Sequence, residues 1–323
     1  MILHDLNDFF RLSGALSYQL SATGGARECV LATILGRRPV ADRDRAVLMA
    51  VLEYLEKAYT DKHRRLGPNA VIHPLRAAAL LVEAHGRVEL LDLLAELLHD
   101  KFEDIVPEDF DPSAWQALEG EFQGLLKRID PKSEWFLMER LDQLTRRREG
   151  ETYYQYVGRL LDRAGQTPEL VRVKLAARLD NTLDMRIDFR DPLDDANCYQ
   201  TLFQVLFCRR FKGLTPAVAH QPHVPLDGAR RLYELFKNTV VLTLVRQKGA
   251  VGDDATAQRL FTAIAEAGLR EAQRILVHIF TYHYRDVEAQ RRLLVETMEY
   301  CLAGGVEGVT AGGATNRLAG LFM

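Results

Sequence analysis

Apolar residues recur three and four positions apart along almost the whole chain, while alternating strand patterns and tight hairpin signals are scarce. The pattern predicts an all-α protein. From Asp42 to Tyr59, "DRDRAVLMAVLEYLEKAY" spaces Val47, Leu48, Val51, Leu52, Leu55 and Ala58 along one helical face. The loop "TDKHRRLGPNAVI" follows. In "HPLRAAALLVEAHG" a new helix begins, with Pro74 suited to its first turn and Gly86 to its end. In "RVELLDLLAELLHDKFED" leucines cover more than half the helical circumference, leaving Asp92, Glu96, His99 and Glu103 as a polar stripe that can face a cleft. "TPELVRVKLAARLDNTLDMRIDF" opens with Thr167 as N-cap, Pro168 at the first helical position and Glu169 in the first turn. Its residues Ala177, Asp180, Asn181, Asp184 and Asp188 share a face.

Beyond Asp191 prolines and glycines thicken, in "DPLDD" and "GLTPAVAHQPHVPLDG", around the apolar run "TLFQVLFCRRF". Four further helices are then predicted, in "ARRLYELFKNTVVLTLVRQ", "ATAQRLFTAIAEAG", "REAQRILVHIFTYHYR" and "VEAQRRLLVETMEYCLAG", before a Gly-rich, mobile tail. The expected organisation is an N-terminal helical extension over 1–41, a principal helical domain over 42–190, a C-terminal helical region over 191–303 and the tail over 304–323.

A chain of 323 residues, 47% hydrophobic and 27% charged, can bury a sizeable core. Its net charge of −3 argues against a protein built around generic nucleic-acid binding. The four cysteines, Cys29, Cys198, Cys208 and Cys301, stand far apart, so neither a disulfide framework nor a cysteine metal knuckle is indicated. The N-terminus shows no basic stretch before an apolar core, and no apolar run reaches the ~18 residues of a membrane span. The expectation is a cytoplasmic protein with reduced thiols and no membrane partner; a homo-oligomer is admitted.

The chemistry concentrates in "ELLHDKFED", which loads His99, Asp100, Glu103 and Asp104 onto the end of the most leucine-rich segment. Either the helix ends at a metal-bearing pocket or a core helix is simply reaching water. His73 at the start of the preceding helix favours the pocket, because imidazole and carboxylate donors from separate helices suit a divalent metal. Such an ion can activate water and polarise a phosphoryl oxygen. The plainer alternative is a histidine cluster capping helix ends against neighbouring carboxylates. His4-Asp5, with no companion residues, reads as incidental. His278 and His283 read as packing residues, and His63, His85, His220 and His223 as loop or helix-end residues.

These residues resemble the HD superfamily of metal-dependent phosphohydrolases, specifically the hydrolase domain of the RelA/SpoT alarmone enzymes and their small stand-alone relatives. The resemblance spans Asp42 to Arg190, about half the chain. The family segments A-H-x-G-Q-x-R-K-x-G-x-P-Y-x-x-H-P, H-D-x-x-E-D and K-L-A-D-R-L-H-N correspond here to "AYTDKHRRLGPNAVIHP", "HDKFED" and "KLAARLDN". The first matches without a gap and keeps Arg64, Arg65, Gly67, His73 and Pro74, but lacks the Pro-Tyr pair. The stretch "LDQLTRRREGETYYQYVGRL" also resembles the family's link between motifs. There Arg146, Arg147 and Arg148 are either phosphate-holding or a solvated charge run.

The resemblance implies an HD-domain helical bundle with added N- and C-terminal helices. It makes His73, His99 and Asp100 metal ligands and sets Glu103 and Asp104 on the attacking water. Arg64 and Arg65 fall where the family contacts the nucleotide, and Asn181 falls at a pocket asparagine. The implied cofactor is a divalent metal, manganese ahead of iron, zinc and magnesium. The implied partner is a nucleotide or other phosphorylated small molecule. Carboxylates near such an ion can take a proton from water, and guanidinium groups suit phosphate oxygens. The family's fourth ligand position is Ala177, whose methyl group cannot bind a metal. Asp180, on the same face, is counted with the metal set, with a hydrated polar face as its alternative. Two functions follow. One is hydrolysis of a guanosine tetraphosphate-like alarmone at its 3′-pyrophosphate. The other is binding of a nucleotide or protein by a degenerate HD domain without turnover. No segment after Arg190 resembles an alarmone synthetase.

Overall fold

A computed structural model describes residues 3–21, 26–64, 69–85, 89–146, 151–187 and 230–278, with 286 and 288. The described part is all-α: no strand occurs in it, and its one extended pairing is an isolated bridge between His63 and Asn69. The helices are α1 (Leu6–Ser21), α2 (Ala26–Leu35), α3 (Asp42–Ala58), α4 (Ile72–Ala84), α5 (Leu90–Leu97), α6 (Lys101–Asp104), α7 (Pro112–Leu126), α8 (Pro131–Leu144), α9 (Tyr153–Ala164), α10 (Glu169–Arg186), α11 (Arg230–Gln247) and α12 (Ala255–His278).

Contacts divide the chain into two units. The first comprises Met1–Arg147, Tyr156–Asp188 and Val240–Ala267, and the second Arg148–Gln155, Phe189–Thr239 and Gly268–Met323. In the second, Thr152 and Gln155 form a reciprocal cap at the start of α9. The Thr152 amide donates to Gln155 Oε1 at 2.9 Å and the Gln155 amide to Thr152 Oγ1 at 3.2 Å. Lys237 pairs with Glu234 at 2.6 Å in the same unit.

The first unit holds the core. α3 is amphipathic and buries the face read from its sequence, Val47, Leu48, Val51, Leu52, Leu55 and Ala58. α4 and α10 are buried nearly all round, α4 because it is apolar along most of its length and α10 although Arg178, Asp180 and Asp184 are among its buried residues. They pack most extensively on each other, and α4 also meets α5, α2 and α1. Fully buried alanines, Ala77 and Ala78 on α4 and Ala176 on α10, let these two backbones come close. α8 begins as its sequence dictates: Pro131 occupies its first position, and Asp130 accepts a hydrogen bond from the Ser133 amide at 3.1 Å.

Several local expectations are revised. The leucine-rich segment is two helices, because the chain leaves helical geometry between Leu98 (φ −109°, ψ 6°) and Asp100 (φ −95°, ψ 9°). Glu96 is fully buried, and Asp92, although buried, lines a pocket with Arg43, Glu89, Arg140 and Arg172. Asp92 bridges Arg140 of α8 and Arg172 of α10, each at 3.0 Å. α10 starts one residue later than predicted, and neither Thr167 nor Pro168 gives it a side-chain cap. Gly268 does not separate two helices. α12 runs through it, and Asp254 caps its start by accepting from the Thr256 and Ala257 amides at 3.0 Å. No helix among the described residues is long and apolar enough to cross a membrane. Gly86, Asp188, the stretch 191–229, residue 287, the segment from 289 and the tail lie outside the described residues, as do Cys198, Cys208 and Cys301.

Candidate metal centre

Two local devices present the donors. Before α4, Asn69 forms a side-chain turn: its Oδ1 accepts from the Val71 amide at 2.9 Å, while its Nδ2 donates to the Tyr59 carbonyl at 2.9 Å. This fixes the entry to α4 and sets His73 in its first turn. The break between α5 and α6 then turns His99 and Asp100 toward that turn.

The result is a triangle of donor atoms. His73 Nε2 lies 3.2 Å from His99 Nε2 and 3.5 Å from Asp100 Oδ2, and His99 Nε2 lies 3.1 Å from Asp100 Oδ2. These three residues also form a group whose donor atoms lie within 4.8 Å of one another. Adjacent ligands of one transition-metal ion, each bonded at roughly 2.0–2.2 Å, stand about 3.0–3.5 Å apart. The donor set and its spacing fit such an ion.

The imidazoles are oriented from behind. His99 Nδ1 lies 2.7 Å from the Glu96 carbonyl oxygen, which can only accept, so Nδ1 carries the hydrogen and Nε2 presents a lone pair. His73 Nδ1 lies 2.6 Å from Asp180 Oδ2 and donates to it, with the same consequence. This is the outer support that metal-binding histidines need. Burial depresses the His73 imidazole even against the pull of Asp180. The Asp100 carboxyl is held low: burial opposes its charge, but His99, then His73 and Lys174, outweigh it. The Glu96 side chain is fully buried with neither oxygen hydrogen-bonded, and burial pushes its carboxyl well above the usual range.

Asp180 does not join the triangle. Its Oδ1 accepts from Arg76 Nε at 2.7 Å, and its Oδ2 from His73 Nδ1, from Arg76 Nη2 at 3.1 Å and, weakly, from Arg64 Nη1 at 3.4 Å. Three of these four donors converge on Oδ2. Asp184, one turn on, takes Arg76 Nη2 at 2.7 Å and Arg64 Nη2 at 3.1 Å. Two guanidinium groups thus face two carboxylates inside the protein. Ala177 is buried on the same helix and offers no donor.

Glu103 and Asp104 form the turn that follows Asp100, whose carbonyl oxygen accepts their amides at 3.0 and 2.8 Å. Glu103 Oε1 accepts from the Arg146 amide at 2.6 Å, which orients the carboxylate. Burial and the charge of Asp100 raise Glu103. Asp104 is exposed, yet the packing around its carboxyl, then Asp100 and Glu103, push it up to about 7. The Asp104 carbonyl accepts from Lys62, which also pairs with Asp109 at 2.6 Å.

Arg64 is drawn inward onto Asp180 and Asp184 and donates to Asn181 Oδ1 at 3.0 Å, leaving Asn181 half-buried beside it. Arg65, Arg147, Arg148 and His283 lie outside the described residues. His4 is paired with Glu266 at 2.8 Å. The sequence reading missed Arg76, whose single charge lies amid an apolar run. The signal available was a lone charge inside the otherwise apolar stretch from Pro74 to Val82. Comparison with family models, with curated proteins and with solved structures gives no match to this chain.

Proposed function

We propose that the chain is a metal-dependent phosphohydrolase of HD type acting on a nucleotide, the favoured substrate being a guanosine tetraphosphate-like alarmone that loses its 3′-pyrophosphate. The observation that carries this reading is the convergence of three lone-pair donors, two of them oriented from behind, next to a pair of carboxylates with raised pKa. His73, His99 and Asp100 would hold the ion. A divalent metal bound there would polarise a phosphoryl oxygen and stabilise developing negative charge.

The remaining roles belong to the chain. Glu103, held in one orientation by the Arg146 amide, takes a proton from the attacking water. Asp104, near 7, can hold or return a proton at neutral pH. Asn181 carries a polar group at the edge of the Arg64 network. The alarmone rests on the family resemblance alone.

One observation favours a second reading, a domain that binds without turnover: Ala177 supplies no donor, and Asp180 is committed to arginines and His73. Metal analysis of the purified protein, with a phosphate and pyrophosphate release screen across nucleotides carrying 5′- and 3′-phosphates, separates the two. Metal with turnover supports the enzyme. Metal or nucleotide binding with no release from any substrate supports the binder, and neither metal nor nucleotide binding sinks both.

A further inference from the structure

Among the described residues Arg76 is the largest side chain sealed in the interior, and only 1% of its surface is exposed. A guanidinium so placed loses its hydration and must be matched by fixed acceptors. Here four of its five N–H groups have a partner. Nε and Nη2 grip Asp180 at 2.7 and 3.1 Å, Nη2 also reaches Asp184 at 2.7 Å, and Nη1 donates to Ser13 Oγ at 3.2 Å. The Phe9 ring lies under the guanidinium, 4.6 Å from its central carbon. Ser13 and Phe9 belong to α1, so the N-terminal helix builds one wall of the arginine's seat.

The grip on Asp180 is bidentate, which fixes both the position and the plane of that carboxylate. The oxygen left in place by this grip, Oδ2, is the one that accepts His73 Nδ1–H at 2.6 Å. We infer that Arg76 is the positioning residue of the donor triangle: it locks Asp180 so that His73 stays in its Nδ1–H tautomer with Nε2 aimed at His99 and Asp100, and α1 completes the lock. The inference rests on reading His73, His99 and Asp100 as metal donors. It extends that reading to the N-terminal helix, which supplies no donor itself. A chain of contacts from Phe9 and Ser13 through Arg76 and Asp180 to His73 makes metal affinity sensitive to how α1 is seated.

The test is Arg76→Lys in the full chain, which keeps the charge but cannot grip a carboxylate in two places. Its folding is followed by circular dichroism, its affinity for Mn2+ and Zn2+ by calorimetry, and the tautomer of His73 by imidazole 15N spectroscopy of the metal-free protein. A folded Arg76→Lys variant is expected to bind metal about 10- to 100-fold more weakly, as loss of outer support does elsewhere. Its His73 signal should move from the Nδ1–H form toward a mixture. Ser13→Ala removes one acceptor and should give a several-fold loss of affinity in a folded protein, so it carries the test if Arg76→Lys does not fold. Parent affinity together with an unchanged His73 tautomer in the folded variant overturns the inference. A parent protein that binds no metal sinks the metal reading instead, and the His73 tautomer in parent and variant then decides the inference by itself.

Discussion

His73 Nε2 and His99 Nε2 face each other at 3.2 Å, each with its Nδ1 hydrogen already committed elsewhere. Two lone pairs and the Asp100 carboxylate therefore converge on a position that only a cation satisfies. In the metal-free protein that cation is a proton. Burial works against charge on His99, but Asp100 and then Glu96 outweigh it and raise the imidazole to about 10. Since the unfolded value is about 6.5, the stabilisation is fully present below pH 6.5 and is lost as pH rises through about 10. The metal-free protein should lose thermal stability over that window. Metal binding should release close to one proton and tighten by up to about tenfold per pH unit between pH 7 and 9. Calorimetry in two buffers of different ionisation enthalpy checks both, and an affinity independent of pH would refute the competition.

Glu103→Gln should leave the fold intact, because the amide oxygen of glutamine can still accept from the Arg146 amide. Stability should change by less than about 1 kcal/mol, metal affinity should stay near the parent value, and any phosphate release should drop by about 10²- to 10⁴-fold. Full turnover in this variant would remove Glu103 from the chemistry.

Ala177→Asp tests whether the centre lacks only a donor. Helix propensity costs about 0.7 kcal/mol or less, and burial of the carboxylate adds a desolvation penalty without a metal. The variant should be less stable than the parent when metal-free and should bind Mn2+ or Zn2+ at least tenfold more tightly. Unchanged or weaker binding, measured by calorimetric titration, would show that position 177 does not reach the triangle.

Lys101 offers a check on the fold beside the site. It is buried, pairs with Glu119 at 2.5 Å, and its ammonium lies 4.7, 5.0 and 5.4 Å from the ring centres of Phe122, Phe102 and Trp115. Removing the lysine frees Glu119 to hydrate, whereas removing the carboxylate strands a buried cation. Urea denaturation should show Glu119→Gln costing about 1–3 kcal/mol and Lys101→Met less. The reverse order would mean that the aromatic rings alone suffice to hold the charge.

What could be read from the sequence was whatever neighbours in the chain decide. The buried face of α3 follows from apolar spacing within one helix. His73, His99 and Asp100 could be singled out by residue type and resemblance, but not their mutual distances. The break at Leu98 to Asp100 was hidden because Phe102 and Ile105 continue the apolar helical spacing from Leu98 across it. The pairing of Asp92 with Arg140 and Arg172 could not be read, because they lie 48 and 80 residues away. Arg76 and Asp180 are separated by 104 residues, and no local pattern announces such a pair. Gly268 was weighted too heavily as punctuation, since one glycine lowers helix stability by only about 1 kcal/mol.

The break between α5 and α6 bears on which ion the centre would accept. His99 and Asp100 are consecutive residues on a turn held at both ends by helices, so their bite is set by backbone dihedrals and acts as one stiff two-pronged arm. The opposing prong, His73, stands on α4. The size of a bound ion would then be gauged across a single gap, between that turn and the first turn of α4, much as a calliper with one fixed jaw measures by the travel of the other.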